Sequence, residues 1–207
     1  MKYKLAIFDF DGTLADSFPF FAGTINTLAQ QYDFKTVGDE EEQALRRLNA
    51  REIIKHVGLP RWKLPLVAAS FIARMGERAA DIPLFPEVEE TLTHLGHAGV
   101  VVSIVSSNSR DNVTKILGPR VLSVVSHVDC GMSMFGKSSR INKLLKKTKV
   151  PPASAIYIGD QLTDLEAAHR SGVAFGAVSW GFSAVEALRA RAPEEEFGSV
   201  SEIKRIA

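Results

Sequence analysis

Short apolar runs alternate with stretches of helical spacing along most of the chain. The runs cover residues 5–8, 100–105, 121–128, 155–158 and 173–179. Continuous apolar runs of this length are typical of strands that are buried on both faces of a parallel sheet. Strands that are separated by helical patterns favour a doubly wound arrangement. The pattern therefore predicts an α/β fold with a doubly wound, Rossmann-like parallel sheet.

Residues 16–84 interrupt this alternation, because they show helical spacing and little sign of strands. Apolar residues recur there at steps of four, three and four, which places them on one helical face: Phe21, Ile25, Leu28 and Tyr32. We therefore expect a small helical domain that is inserted directly after the first strand. The remaining residues, 1–15 and 85–207, are expected to form the α/β core domain.

The composition narrows the possible classes of function. The 25 Lys and Arg and 24 Asp and Glu leave a formal net charge of +1, so we expect no nucleic acid partner. The single cysteine, Cys130, cannot form an internal disulfide, which favours a reducing compartment. Asp9 and Asp11 interrupt the apolar run that a signal peptide would need, and no stretch reaches the ~18 apolar residues that span a bilayer. We expect a cytoplasmic protein without a membrane partner.

Polar side chains follow the predicted strands at the points where those strands end. Asp9 and Asp11 follow the first strand, and Ser106 follows the second. Asp160 and Asp164 follow the fourth strand. Because ligands of doubly wound sheets bind at the carboxyl ends of the strands, we expect these side chains to share one site.

The chemistry of these side chains suits a metal and a phosphate. Carboxylates that converge on one point repel one another unless a cation neutralises them, and Mg²⁺ prefers oxygen ligands. Lys137 and the hydroxyl of Ser106 would suit the oxygens of a phosphate. Backbone N–H groups of neighbouring residues would complete the phosphate site: Gly12, Thr13, Ser107 and Asn108. This combination predicts phosphoryl transfer through an aspartyl phosphate.

The order of these residues resembles the motifs of the haloacid dehalogenase superfamily of phosphohydrolases. The stretch Asp9-Phe10-Asp11-Gly12-Thr13-Leu14 resembles its first motif, DxDG followed by Thr or Val. Ser106, Lys137 and the pair Asp160 and Asp164 resemble the second, third and fourth motifs. The insertion at residues 16–84 resembles the helical cap domain of the family. Residues 178–182 resemble the phosphoglycolate phosphatase-like branch.

The resemblance implies a role for each catalytic residue. Asp9 would be the nucleophile, and Asp11 would be the general acid and base. Ser106 would donate a hydrogen bond to the phosphoryl group, although Ser107 remains an alternative for this role. Lys137 would steady the charge between Asp9 and the phosphate.

The resemblance also implies a cofactor and a substrate class. A Mg²⁺ ion would bind the side chains of Asp9, Asp160 and Asp164 and the backbone carbonyl of Asp11. The expected enzyme is a Mg²⁺-dependent phosphatase that acts on a small phosphorylated metabolite, phosphoglycolate or a related phosphomonoester. Four residues of the insertion could reach an anionic group of that substrate: Arg46, Arg47, Asn49 and Arg51.

Other functions remain open at this point. A phosphosugar mutase has the same core, but mutases tend to carry a histidine shortly after the second aspartate, where this chain has Phe21. A non-catalytic module that binds a phosphorylated ligand is a second alternative. Cys130 with His127 and Asp129 suggests a thiol site, although the three residues lie in one local loop.

Overall fold

The computed structural model describes residues 1–38, 41, 50–131 and 136–207, with the backbone alone at residues 50 and 51. Three of the residues that are predicted to contact a substrate anion lie outside the described residues: Arg46, Arg47 and Asn49. The fourth, Arg51, is described by its backbone alone. Throughout the described ranges, each helix is too short or too polar to cross a bilayer.

Six parallel strands form one sheet within the described residues: β1 (Leu5–Phe8), β2 (Val101–Ser106), β3 (His127–Cys130), β4 (Ala155–Gly159), β5 (Ala174–Val178) and β6 (Glu195–Phe197). Their order across the sheet is β3-β2-β1-β4-β5-β6, so β1 lies between β2 and β4. All four residues of β1 are buried, as its apolar sequence predicts. The predicted α/β fold with a doubly wound parallel sheet is confirmed.

The described helices are α1 (Phe18–Tyr32), α2 (Ala50–His56), α3 (Leu64–Glu77), α4 (Val88–His97), α5 (Arg110–Val124), α6 (Gly136–Thr148), α7 (Leu162–Arg170) and α8 (Val185–Arg189). Short 3-10 helices cover Ala79–Asp81, Pro152–Ser154 and Val200–Ile206. Alternate residues of β1 enter two separate apolar cores. Ala6 and Phe8 belong to one core, and Leu5 and Ile7 belong to the other. The central strand is therefore covered on both faces.

The prediction of a strand over residues 121–128 is wrong. The residues up to Val124 belong to α5, and β3 covers His127–Cys130 alone. Gly118 interrupts α5 with φ 68° and ψ 170°, and Pro119 follows it where the helix resumes. Proline suits the first turn of a helix because it has no N–H to satisfy. A short apolar run does not distinguish a buried helical turn from a buried strand, which explains the error.

The edge strand β6 is not indicated by the sequence pattern, because its segment is acidic. Glu195 accepts hydrogen bonds from Lys2 and from Arg205, whose Nη2 lies 3.1 Å from its Oε2. These contacts make the glutamate part of an ion-pair network at the edge of the sheet. Charged side chains are common on edge strands, where they discourage pairing with other chains.

Helices α1, α2 and α3 lie between β1 and α4, in the region of the predicted inserted domain. Buried apolar residues there form a cluster of their own: Ile25, Leu28, Val37, Val57, Leu59 and Val67. The two connections between the core and the inserted helices, one near Asp16 and one near Leu84, lie side by side. The N–H of Asp16 donates to the carbonyl of Pro83, and that of Phe85 donates to the carbonyl of Leu14, both at 2.9 Å. Division of the chain into two domains stays a prediction.

Candidate active site

Three buried carboxylates meet at the carboxyl end of the two central strands. Asp9 follows β1 and Asp160 follows β4, and the N–H of Asp9 donates to the carbonyl of Ile158 at 2.9 Å. Asp164 lies in the first turn of α7. Each carboxylate offers one oxygen, and the three oxygens lie within 4.8 Å of one another. The three residues are 3%, 0% and 0% exposed, so water screens their charges poorly.

The loop after β5 encloses Asp160. The N–H of Phe182 donates to Asp160 Oδ2 at 2.8 Å, and the hydroxyl of Thr13 donates to Asp160 Oδ1 at 3.3 Å. A Cβ atom at Gly181 would lie 2.1 Å from the Cβ of Asp160. A Cβ atom at Gly12, where φ is 78°, would lie 2.6 Å from Asp160 Oδ2. The close approach of backbone to carboxylate therefore requires glycine at both positions.

Lys137 lies between two of the carboxylates, in the first turn of α6. Its Nζ is 2.7 Å from Asp9 Oδ2 and 2.5 Å from Asp164 Oδ1. These distances correspond to charge-assisted hydrogen bonds. Among the described residues, one cationic side chain contacts this group of three carboxylates, so the cluster keeps negative charge that a metal ion would offset.

The electrostatics of the cluster fit a divalent cation. Burial and the charges of Asp164 and Asp9 raise the pKa of Asp160 well above its usual range. Burial raises the pKa of Asp164 to about 7, against the opposing charge of Lys137. Burial disfavours the charged form of Lys137, but the charges of Asp164 and Asp9 outweigh it and raise the lysine pKa well above its usual value. A hard cation would take the place of the protons, and three carboxylate oxygens are ligands that such a cation prefers.

The carboxylate of Asp11 is held by different partners. The hydroxyl of Ser17 donates to Asp11 Oδ1 at 2.9 Å, and the side-chain amide of Asn108 donates to Asp11 Oδ2 at 3.0 Å. Burial and the charge of Asp9 raise the pKa of Asp11 to about 6. A carboxyl group that titrates near neutrality is suited both to donate and to accept a proton. A metal contact through the backbone carbonyl of Asp11 stays a prediction.

Ser106 and Ser107 occupy different environments at the end of β2. Ser106 is buried, and its hydroxyl accepts a hydrogen bond from the N–H of Asn108 at 3.0 Å. Its carbonyl accepts a hydrogen bond from Arg140 Nη1 at 3.0 Å. Ser107 is exposed and lines a cavity. The choice between the two hydroxyls for the phosphoryl contact stays open.

Most of the predicted phosphate-binding N–H groups have partners within the chain. The N–H of Gly12 donates to the carbonyl of Ala15 at 2.9 Å, and that of Thr13 donates to the carbonyl of Phe10 at 3.3 Å. The N–H of Asn108 donates to a serine hydroxyl, as described above. These bonds shape the turn after β1 and the loop after β2. Phosphate binding by these groups stays a prediction and would require them to share or exchange partners.

A cavity of ≈ 330 Å³ opens beside Asp11. Ser107, Asn108 and Gln161 line it on the side of the core, and residues of α1 and α3 line it on the side of the insertion. Its volume lies near the lower end of the ~300–1,000 Å³ that is typical of small-molecule sites. The cavity is therefore large enough for a small metabolite and reaches the proposed acid and base.

Sequence reasoning misses several residues that support the site. Ser17 holds Asp11, Phe182 holds Asp160 through a backbone N–H, and Asn112 Nδ2 donates to Asn108 Oδ1 at 3.1 Å. Ser17 has a weak sequence signal, because a serine before a helix is usually read as an N-cap. Its side chain makes no cap bond, however, and binds the carboxylate. Nothing in the sequence indicates the hydrogen bond from the N–H of Phe182 to Asp160, since every residue except proline has a backbone N–H.

The alternative thiol site around Cys130 has unfavourable chemistry. Burial raises the pKa of the Cys130 thiol to about 11, although the charges of Arg110 and Arg140 oppose the shift. The nucleophile in thiol chemistry is the thiolate, and its fraction is very small at neutral pH when the pKa is this high. The environment therefore indicates a structural cysteine.

Comparisons with known proteins agree with this geometry. The model of the haloacid dehalogenase-like hydrolase family matches residues 6–178. A phosphoglycolate phosphatase of Synechococcus elongatus is 32% identical over 189 residues, which cover 91% of this chain and 89% of that protein. A phosphoglycolate phosphatase of Pseudomonas syringae pv. tomato is 27% identical, with 87% of this chain and 71% of that protein covered. These relatives confirm the predicted resemblance to the phosphoglycolate phosphatase-like branch.

Solved structures share the whole fold. A haloacid dehalogenase-like family protein from Streptococcus pneumoniae has a TM-score of 0.81 at 17% identity, with 98% of this chain and 97% of that chain covered. CbbY from Rhodobacter sphaeroides, solved in complex with phosphate, has a TM-score of 0.76 at 19% identity, with 97% and 96% covered. At these identities the likeness concerns the fold alone. The family match covers most of the chain and includes the carboxylates of the site, so the chain belongs to the haloacid dehalogenase-like hydrolases.

Proposed function

We propose that this chain is a Mg²⁺-dependent phosphatase that hydrolyses small phosphomonoesters through an aspartyl phosphate on Asp9. One observation carries the proposal. The carboxylate of Asp9 is buried at the end of a central strand, 2.7 Å from the Lys137 ammonium and beside two further carboxylates. The family of the chain and the names of its relatives support the same reaction class.

In the first step, a carboxylate oxygen of Asp9 attacks the phosphorus of the substrate. The bond between phosphorus and the leaving oxygen breaks, and Asp11 donates a proton to that oxygen, so that the product leaves as an alcohol. Lys137 would offset part of the charge on the transferred group, and the hydroxyl of Ser106, or that of Ser107 in its place, would donate a hydrogen bond to one of its oxygens.

In the second step, water attacks the phosphorus of the aspartyl phosphate. The bond from phosphorus to the oxygen of Asp9 breaks, and Asp11 accepts a proton from the water. Inorganic phosphate leaves, and both carboxyl groups return to their starting states. The pKa of Asp11, raised to about 6 by burial and by Asp9, supports this double role near neutral pH.

Asp9, Asp160 and Asp164 would hold the Mg²⁺ ion, with the backbone carbonyl of Asp11 as a further oxygen ligand. When bound, the cation offsets the negative charge of the phosphoryl oxygens. The chain prepares these ligands through its own contacts. The N–H of Gln161, for example, donates to Asp164 Oδ2 at 3.2 Å and fixes that carboxylate at the start of α7.

The substrate would be a small phosphorylated metabolite. Phosphoglycolate is the first compound to test, because the relatives carry the name phosphoglycolate phosphatase. The helices of residues 16–84 would serve as a cap that covers the phosphate during the reaction and excludes water. The cytoplasmic location stays a prediction.

A mutase activity has less support. Phe21 stands where mutases tend to have a histidine, and its ring packs against those of Phe71 and Phe182 at centroid distances of 5.9 and 6.5 Å. A phenyl ring cannot transfer a proton to a sugar oxygen. A non-catalytic module also has less support, because binding a phosphorylated ligand does not require the proposed nucleophile Asp9 to lie beside a carboxyl group, that of Asp11, with a pKa of about 6.

Phosphate release from a panel of phosphomonoesters tests the proposal. The wild type should turn over at least one of them in Mg²⁺ and lose that activity in EDTA. Asp9→Asn should lower kcat/KM by at least about a thousandfold, because an amide is not a nucleophile. Asp111→Asn, which changes an exposed aspartate of α5, is the matched control and should keep wild-type activity. An active Asp9→Asn variant would remove the mechanism.

A further inference from the structure

Arg140 joins helix α6 to the ends of two strands at the carboxyl edge of the sheet. Its side chain is 13% exposed. Its Nη1 donates to the carbonyl of Ser106 at 3.0 Å, and its Nη2 donates to the carbonyl of Gly131. Its Nη1 also lies 3.5 Å from Asp129 Oδ1. The guanidinium charge is therefore largely buried, together with acceptors that compensate the loss of water.

The carbonyl of Ser106 is held from the side of β3. It accepts hydrogen bonds from Arg140 and, at 3.1 Å, from the N–H of Gly131, which directly follows β3. Strand β2 lies between β3 and β1, so this carbonyl points away from β1. The peptide bond to Ser107 is trans, and the C=O and N–H groups of a planar trans unit point in opposite directions. The N–H of Ser107 therefore points toward β1, the strand that Asp9 follows.

This N–H is one of the predicted phosphate-binding groups. In the proposed mechanism, the transferred phosphoryl group lies at Asp9, on the side to which the N–H of Ser107 points. A hydrogen-bond donor stabilises a transition state only while it is aimed at the oxygen on which charge develops. The guanidinium of Arg140 can therefore govern a phosphate contact that it does not itself make, through one rigid peptide plane.

The same side chain also fixes the start of α6. Lys137 lies three residues before Arg140 in this helix, so the two side chains project from neighbouring turns. The ammonium of Lys137 contacts Asp9, whereas the guanidinium of Arg140 contacts the ends of β2 and β3. Arg140 thus ties the helix that carries the lysine to two strands, which limits how far the ammonium can move relative to the nucleophile.

We propose that Arg140 is a positioning residue for phosphoryl transfer. It orients the N–H of Ser107 toward the phosphoryl group, and it holds Lys137 beside Asp9. The inference rests on the proposed phosphatase function and adds a residue to its machinery. The described contacts of Arg140 are with strand ends rather than with the three carboxylates of the site. Its loss should therefore slow the reaction without changing the Mg²⁺ requirement.

The variant Arg140→Ala tests the inference with 4-nitrophenyl phosphate and Mg²⁺. We expect kcat to fall about 10- to 100-fold, because a displacement of about 1 Å in a catalytic contact can cost 100-fold. KM and the Mg²⁺ concentration for half-maximal activity should stay within about threefold of the wild-type values, since binding groups are kept. Millimolar guanidinium chloride should raise the kcat of this variant at least about fivefold, because the ion can bind the same carbonyls and carboxylate.

Arg120→Ala is the matched control, because it makes the same change at a side chain that is 83% exposed. It should keep the wild-type kcat and show no response to guanidinium. If Arg140→Ala does not fold, as judged by circular dichroism, Arg140→Lys decides. One ammonium cannot reproduce the two-pronged contact of a guanidinium, so the kcat of Arg140→Lys should fall at least about threefold at unchanged KM.

The outcomes separate this inference from the function on which it rests. A lower kcat at unchanged KM, with recovery in guanidinium, supports it. A folded Arg140→Ala variant with wild-type kcat overturns it, and so does a loss that lies in KM or that guanidinium does not reverse. For Arg140→Lys, a wild-type kcat overturns it. Each of these results leaves the phosphatase function intact. If the wild type hydrolyses no phosphomonoester in Mg²⁺, the proposed function fails and this inference fails with it.

Discussion

The side-chain nitrogen of Asn108 lies 3.0 Å from Asp11 Oδ2 and also 3.0 Å from the sulfur of Met75. Asp11 follows β1, Asn108 follows β2, and Met75 belongs to α3 of the insertion. Asn112 extends the connection, because its Nδ2 donates to Asn108 Oδ1 at 3.1 Å and to the carbonyl of Ile72 at 2.8 Å. The orientation of the proposed acid and base is thereby coupled to the position of an inserted helix.

Removal of this amide should disturb Asp11 in a defined direction. The hydrogen bond from Asn108 favours the charged form of Asp11, so Asn108→Ala should raise the pKa of Asp11 further. We expect kcat/KM to fall about 10- to 100-fold, as for the loss of one hydrogen bond to a charged group. The limb of the pH–rate profile that Asp11 controls should move to higher pH. Asn142→Ala, on the exposed side of α6, is the control; an unmoved limb in Asn108→Ala would contradict the coupling.

Loss of Lys137 should destabilise the metal-free protein. Its ammonium contacts Asp9 and Asp164, and Lys137→Met would leave both buried carboxylates without that partner. Removal of one partner from a buried ion pair typically lowers the free energy of unfolding by about 3–5 kcal/mol. Lys143→Met is the control, because Lys143 is exposed and its contact with Asp129 is long, at 3.7 Å; its effect should be about 0–1 kcal/mol. Urea unfolding in EDTA measures both, and equal effects would contradict the prediction.

The raised pKa values predict how stability depends on pH in the absence of metal. Burial, with the charge of Asp9, raises the pKa of Asp11 to about 6, and burial raises that of Asp164 to about 7, from a usual value of 3.8. Between pH 3.8 and those values, the folded state binds more protons than the unfolded state. The contribution of these groups to the free energy of unfolding therefore falls as pH rises from about 4 to about 7 and stays at its lowest above that.

Urea unfolding at several pH values in EDTA measures this contribution. Asp164→Asn, which removes one titrating group, should show a smaller decrease in the free energy of unfolding across the same window than the wild type shows. Millimolar Mg²⁺ should restore stability mainly at the upper end of the window, where the carboxyl groups are ionised and can bind it. A variant with the same slope as the wild type would show that Asp164 is not the group responsible.

Gly181 should be intolerant of a methyl group. A Cβ atom there would lie 2.1 Å from the Cβ of Asp160, so Gly181→Ala must displace the loop or the carboxylate. We expect at least about a tenfold loss of kcat/KM and a higher Mg²⁺ concentration for half-maximal activity, as for other contacts that orient metal ligands. Gly23→Ala is the matched control, since nothing lies within 4 Å of that position in α1. It should stabilise the protein by about 0.5–1 kcal/mol and leave the Mg²⁺ requirement unchanged.

The sequence predicts the parts of the site that depend on strand ends. Asp9 and Asp160 follow apolar runs, and the topology of a parallel sheet brings the ends of such runs together. Local spacing then places Asp164 on the first turn of α7. The positions of these three aspartates depend only on hydrophobic periodicity and on the order of strands and helices along the chain. Both can be read directly from the sequence.

The other contacts depend on tertiary packing and leave no pattern in the sequence. The N–H of Phe182 reaches Asp160 because of the path of one loop, and the contact between Asn108 and Met75 joins two elements that are far apart in the chain. Residues 121–124 show the same limit for secondary structure. An apolar run of this length is compatible with a strand or with the end of a helix, and packing decides between them.

Transfer of the phosphoryl group to Asp9 is the central claim, and trapping the intermediate tests it most directly. In Asp11→Asn, 4-nitrophenyl phosphate should still react in the first step, because 4-nitrophenolate leaves without a proton, whereas the second step lacks its base. Rapid mixing with Mg²⁺ should release about one 4-nitrophenolate per enzyme in a burst, followed by slow turnover. Borohydride reduction of the quenched protein should convert the acyl phosphate to homoserine at position 9, as read by peptide mass spectrometry. The absence of a burst together with unmodified Asp9, or homoserine at Asp160 or Asp164, would contradict the account.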